Sequence, residues 1–174
     1  FTRDITIIPA TPFLGGGAVA EFGVFPPLPN GLNINSNGVI FGSPTSNQSF
    51  TEYTIFANNS GGSSSITIQI TINEPKVLVV YSSYDFEFIR GQNISVISPQ
   101  IFDGKPSSWA IHPPLVSGLT FSEGSIRGAP LVNSTQVTYN IWANNTGGDA
   151  IIQMRITVLE PVVNAEYVVE NFTF

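Results

Sequence analysis

The chain has 174 residues, a net charge of −6, one His, one Met and no Cys. An acidic chain is a poor ligand for phosphate backbones, and the missing Cys removes disulfide frameworks, thiolate nucleophiles and Cys-ligated zinc. A single His excludes a multi-His metal centre within one chain. No cofactor is expected, and no apolar run approaches the roughly 20 residues that span a bilayer, so neither a membrane span nor a signal peptide is expected. Only 10% of the residues are charged, against roughly 25% in ordinary globular domains. Ser, Thr, Asn, Gln or groups attached to them must hydrate the surface.

The elements predicted along the chain are all strands and turns. An opening strand runs through Ile5, Ile7 and Ile8. Asn30-Gly31 and Asn37-Gly38 are turn dipeptides. Tyr53, Ile55 and Ala57 place one face of a strand inward, and Asn58–Gly62 reads as the hairpin loop that follows it. Ile66-Thr-Ile-Gln-Ile-Thr-Ile72 alternates apolar and polar at period two, the pattern of a strand with one buried face. Val77–Phe88 opens a second series, which continues through Tyr139, Ile141 and Ala143 to Ile152-Gln-Met-Arg-Ile-Thr-Val158. Turn clusters separate the strands at intervals of about 8–12 residues, as in a β-sandwich. No window shows a helical period, and 13 prolines disfavour long helices.

The second series repeats the first. Tyr53-Thr-Ile-Phe-Ala-Asn-Asn-Ser-Gly-Gly62 returns as Tyr139-Asn-Ile-Trp-Ala-Asn-Asn-Thr-Gly-Gly148, an offset of 86. Gly38–Pro44 returns as Gly124–Pro130 and Ile70–Pro75 as Ile156–Pro161 at the same offset. Pro26–Leu32 returns as Pro113–Leu119 at 87, so the second copy lost one residue between Leu119 and Gly124. Two modules are predicted, over 1–75 and 76–161, followed by a tail at 162–174.

Leu28-Pro-Asn-Gly-Leu32, Gly38-Val-Ile-Phe-Gly-Ser-Pro44 and Ala57-Asn-Asn-Ser-Gly-Gly62, each repeated in order, resemble the signature of putative-Ig repeats, Ig-like modules similar to dystroglycan-type cadherin-like domains. The second copy departs from the pattern at Val116-Ser117. The resemblance implies an all-β fold of two tandem Ig-like sandwiches, with an extra strand at the C-terminus. It implies stalk, spacer or adhesive roles; an enzyme is not expected, because no catalytic constellation of residues supports one. Cadherin-type calcium sites need clustered carboxylates at module junctions. Glu74-Pro75 and Glu160-Pro161 offer one each, so no metal site is expected.

The two modules begin differently. Aligning Ile5, Ile7 and Ile8 with Ile94, Val96 and Ile97, an offset of 89, leaves nothing in module one to match Val77–Phe88. The tail carries that missing strand: Tyr167, Phe172 and Phe174 stand 86 residues after Tyr81, Phe86 and Phe88. Tyr167, Val169, Phe172 and Phe174 are therefore the candidate donor-strand residues, and Ile5, Ile7 and Ile8 the candidate acceptor. The partner is a second copy of the same chain, because a 13-residue tail extends less than about 50 Å and two modules end to end measure roughly 80 Å. The expected function is an extracellular structural protein, the subunit of a head-to-tail glycosylated filament. The alternative is an adhesin or stalk fragment of a longer tandem array, with carbohydrate binding through Trp109 or Trp142.

Six Asn-x-Ser/Thr sequons begin at Asn47, Asn58, Asn93, Asn133, Asn144 and Asn171, where chance supplies about three. Asn47 pairs with Asn133, and Asn58 with Asn144, at the repeat offset. Covalent N-glycans there would hydrate a surface poor in charge. The remaining polar residues carry no catalytic pattern. His112 occupies the slot that Phe25 fills in module one. Trp109 and Trp142 match Phe22 and Phe56, which reads as aromatic packing. Glu21, Glu52, Glu123 and Asp149 lack repeat counterparts and read as solvated surface charge. Gly15-Gly16-Gly17 lacks the Lys-Ser/Thr of a phosphate loop.

Overall fold

The computed structural model describes residues 1–164. These form thirteen strands and no helix, and divide into two compact units. The first unit comprises Phe1–Leu78 with the short segments Ile101–Ser107 and Asn144–Ala150. The second comprises Val79–Gln100, Ser108–Ala143 and the residues from Ile151 onward.

Five strands lie in the first 75 residues: β1 (Glu21–Phe25), β2 (Leu32–Ile34), β3 (Ile40–Gly42), β4 (Gln48–Asn59) and β5 (Gly62–Ile72). β1, β4 and β5 form one antiparallel sheet in that order, and β2 pairs with β3 in another. Strand alternation sends Tyr53 and Ile55 of β4 and Ile70 and Ile72 of β5 to one side. There they join Ile7, Leu32 and Ile40 in the buried core.

Eight strands follow: β6 (Leu78–Val80), β7 (Asp85–Ile89), β8 (Gln100–Asp103), β9 (Ser108–His112), β10 (Leu119–Ser122), β11 (Ser125–Gly128), β12 (Ser134–Asn145) and β13 (Gly148–Leu159). The larger sheet runs β7-β13-β12-β9, with β7 parallel to β13, and β10–β11 and β6–β8 are two-stranded. Tyr139, Ile141 and Ala143 of β12 and Ile152, Met154, Ile156 and Val158 of β13 are all buried. The predicted inward residues of both modules thus take their places, except that Ala57 is half-buried where Ala143 is fully covered.

The hydrogen-bond register corrects the alignment of the first strand. Ile7 N–H donates to Gly42 O at 2.9 Å, and Ile94 N–H donates to Gly128 O at 2.9 Å. Ala10 bridges Ile40 just as Ile97 bridges Ile126. The offset is therefore 87, and Ile7, not Ile5, is the counterpart of Ile94. Matching isoleucines by type slipped the strand by two residues, which preserves the alternation of faces and so leaves no trace in the pattern. Of the proposed acceptor residues only Ile7 is in the core; Ile5 and Ile8 are exposed. The same register places Phe1–Arg3 beside Asn73, through a parallel bridge of Thr2 to Asn73 that matches Ile89 against Leu159. Arg3 pairs with Glu74 at 3.0 Å, and Arg90 with Glu160 at 2.7 Å.

Glu123-Gly124 turns β10 into β11 with φ of 48° and 74°, a left-handed pair that glycine enters without strain. The indole of Trp109 closes over Gly124, where an added Cβ would lie 2.7 Å from a ring carbon. Gly124→Ala is expected to destabilise the chain by more than about 1 kcal/mol, from positive φ and steric overlap together. Urea unfolding followed by tryptophan fluorescence measures it.

Candidate functional site

The two sandwiches differ in how one strand face is covered. On β13 the alternating apolar face is buried along its whole length; on β5 the same face opens toward Ile66. Ile66 is 65% exposed, and its repeat counterpart Ile152 is 7% exposed. Ile68 is half-buried where Met154 is completely covered. Beside Ile66, Phe13 stands fully in solvent and Leu14 is half in solvent.

The cover in the second sandwich is β6 and its continuation. Val79 and Tyr81 are buried there, and the Tyr81 hydroxyl donates to the carbonyl oxygen of Gly124. Burial raises the Tyr81 pKa well above the usual phenol value, so the group stays a neutral donor. β6 pairs with β8, whose Ile101 is the counterpart of Leu14. Among the described residues the first sandwich has no strand in the place of β6. β5 is the last strand of its sheet, its edge met only near Thr71 and Asn73 by Phe1–Arg3, whereas β13 is flanked by β7 over Arg155–Leu159.

What results is an apolar cavity of about 520 Å³ on the first sandwich. Phe13, Leu14, Phe22, Ile55, Ile66 and Ile68 line it, and Gly38 lies at its wall. No charged side chain takes part. Gly38 is the counterpart of Gly124, and Phe22 closes over it as Trp109 closes over Gly124. The cavity therefore offers a sheet edge, an apolar floor and the backbone of Gly38 at the position where Gly124 accepts a tyrosine. Chemically it can bind an extended apolar segment. Thr11, Ser64 and Ser65 bring hydroxyls to its lining, with no acidic or basic side chain among the lining residues.

The sequence predicts a module one without a counterpart of Val77–Phe88, with Ile5, Ile7 and Ile8 as candidate acceptor residues; none of the three lines this cavity. The signal was present in Phe13-Leu14, an apolar pair in a glycine-rich loop, and in Ile66. Of the candidate donor residues, Tyr167, Val169, Phe172 and Phe174 lie outside the described residues, as does the sequon at Asn171.

The other sequons are dispersed. Asn47, Asn93 and Asn133 are exposed in loops. Asn58 and Asn144, expected in hairpin loops, are instead half-buried near the ends of β4 and β12, because the turns themselves are only two residues long. Asn58 sits in ladder register between Glu21 and Ser63, and Asn144 O accepts from Ser107 N–H at 2.7 Å. Trp109 is half-buried over Gly124, and His112 is exposed on β9. Among the described residues no three His, Asp or Glu side chains come together.

Replacing Ile152 and Ile66 by Ala tests whether the shared alternation carries unequal weight. Ile152→Ala is expected to cost about 2–5 kcal/mol by loss of buried methyl groups. Ile66→Ala in the monomeric chain is expected to stay within about 0.5 kcal/mol. Denaturant titration of the two variants measures the difference.

Residues 5–73 match the family model described as a putative Ig domain. No curated protein sequence matches the chain. Among solved structures, the insect immune protein hemolin is similar at 15% identity with a TM-score of 0.50, over 91% of this chain and 44% of that one. The N-terminal four Ig domains of Dscam1 isoform 9.44 are similar at 13% identity and a TM-score of 0.50, over 90% and 42%. Extracellular domains 3–5 of Drosophila OTK give 16% identity and a TM-score of 0.48, over 90% and 57%. The chain thus spans about half the length of these structures. The repeat, the two sandwiches and the likeness to hemolin and Dscam1 agree on the fold: the chain is a tandem of Ig-like modules, the first of which matches the putative Ig domain model over residues 5–73.

Proposed function

We propose that this tandem Ig-like chain is a non-enzymatic extracellular structural protein that assembles head to tail. In this reading residues 163–174 of one copy lie in the apolar cavity of the next. The observation that carries it is the contrast between Ile66 and Ile152: one face of one strand is open where its repeat, in the sandwich that has β6, is buried. The tail has the composition to cover it. Val163, Ala165 and Tyr167 stand at the repeat positions of Val77, Val79 and Tyr81. Tyr167 would donate to Gly38 O as Tyr81 donates to Gly124 O.

Each large apolar side chain removed from water contributes roughly 1.5–3 kcal/mol, so Phe13, Leu14 and Ile66 supply several kcal/mol to a strand that covers them. An added strand also satisfies the edge of β5, a recurrent mode of peptide recognition. Such a contact joins different surfaces on the two copies, and unless it closes a ring it propagates as a filament. N-glycans at the exposed Asn47, Asn93 and Asn133, with Asn58, Asn144 and Asn171, would supply hydration that the few charges do not.

The second reading, a stalk or adhesin segment of a longer chain, fills the same cavity with residues preceding Phe1. The two readings part on assembly. Sedimentation and electron microscopy of the full chain are expected to show polymers that vanish on deletion of 162–174 or with Ile66→Asp. Assembly undiminished by the deletion overturns the proposal, and a monomer with or without the tail favours the longer chain. Intact-mass spectrometry of material from its source reports the glycans directly.

A further inference from the structure

Within the first unit, a short stretch of backbone is held by two loops. Asn145 Nδ2 donates to Pro75 O at 2.7 Å and reaches Lys105 O at 3.4 Å. Glu74 N–H donates to Thr146 Oγ1 at 2.9 Å. The stretch passes so close that a Cβ on Gly147 would lie 2.0 Å from Glu74 O, and one on Gly104 would lie 2.2 Å from Pro75 O. Only glycine admits backbone at that distance. The Glu74 carboxylate points elsewhere, to Arg3.

Every part of this clasp has an earlier copy. Gly17, Ala18, Asn59, Ser60 and Gly61 stand at the repeat positions of Gly104, Lys105, Asn145, Thr146 and Gly147. The earlier copy is shaped alike. Gly61 N–H donates to Asn59 Oδ1 at 2.8 Å, as Gly147 N–H donates to Asn145 Oδ1 at 2.8 Å. Asn59 Nδ2 donates to Ala18 O at 3.0 Å, the counterpart of the Lys105 contact. Among the described residues, however, no passing backbone meets the two glycines. A Cβ on Gly61 would meet only Asn59 Oδ1 at 3.2 Å, and one on Gly17 only Asn59 Nδ2 at 3.1 Å.

We infer that Gly17, Asn59, Ser60 and Gly61 seat the Glu160-Pro161-Val162 segment of a second copy of this chain. The inference rests on the head-to-tail reading and gives it a second, polar point of attachment beside the apolar one. The occupant is chosen by the clasp itself. Glu160-Pro161 repeats Glu74-Pro75 and follows β13 as Glu74-Pro75 follows β5. Arg90 holds the Glu160 side chain as Arg3 holds that of Glu74, which leaves the linker backbone facing outward. In the seat, Ser60 Oγ accepts the Glu160 N–H and Asn59 Nδ2 donates to Pro161 O. Gly61 and Gly17 let the backbone pass.

Gly61→Ala tests it, because in the single chain the added methyl meets only the Asn59 side-chain oxygen, which must give slightly, whereas beneath a seated linker it would meet fixed backbone. Its far-UV circular dichroism and melting temperature are expected to match the parent, while the critical concentration for assembly rises at least about tenfold. The chain has no Cys, so a Ser60→Cys, Val162→Cys double variant reports the contact independently. Oxidation is expected to give a ladder of disulfide-linked chains that Gly61→Ala abolishes. Parent and Gly61→Ala chains that assemble equally, without a ladder, overturn this seat and leave the strand-filled cavity standing. Chains that neither assemble nor form a ladder overturn both, and the seat then belongs to residues preceding Phe1 of a longer chain.

Discussion

The burial of Val79 and Tyr81 beneath the second sandwich is the interaction on which the rest of the structure turns. A sandwich built from alternating strands has a covered core only if each sheet edge receives a strand whose side chains close the gap between the sheets. In the second sandwich β6 does this, and the faces of β12 and β13 become a continuous interior. Where that strand has no counterpart, the same alternation on β5 produces a groove. The difference between Ile152 and Ile66 is one of context alone, because both are isoleucines at the same repeat position on strands of like pattern.

The polar parts of the repeat follow the same logic. Asn145, Thr146 and Gly147 hold a passing backbone, and Asn59, Ser60 and Gly61 have the same local shape with no such backbone above them among the described residues. A short Asx-type turn is stabilised by its own side-chain amide and so keeps its geometry whether or not it is engaged. On the proposed head-to-tail reading, that independence would make the earlier copy a preformed site. A preformed site loses less conformational freedom on binding than a loop that must first be ordered.

Neither feature involves chemistry at a reactive atom. The groove is lined mainly by carbon with the hydroxyls of Thr11, Ser64 and Ser65, the clasp by amides and a hydroxyl, and among the described residues the acidic side chains do not cluster. Such surfaces recognise backbone and apolar side chains by shape, which suits contacts between modules or between copies. The two contacts differ in character. The groove would contribute most of the burial, and the clasp would fix register through hydrogen bonds of defined length.

Much of this was legible in the sequence. Period-two alternation over Ile66–Ile72 and Ile152–Val158, the inward set Tyr139, Ile141 and Ala143, and a repeat of 86 or 87 residues determined an all-β tandem of two modules. They did so because side-chain direction in a strand is set by local geometry alone. The same sequence could not fix the register of the first strand. A slip of two residues from Ile7 to Ile5 leaves every side chain on its own face, and only hydrogen bonds to Gly42 and Gly128 separate the alternatives. Nor could it show that Ile66 is open while Ile152 is closed, or that Gly61 is free while Gly147 is pressed. Those are facts about what lies above a residue, and residues distant along the chain decide them.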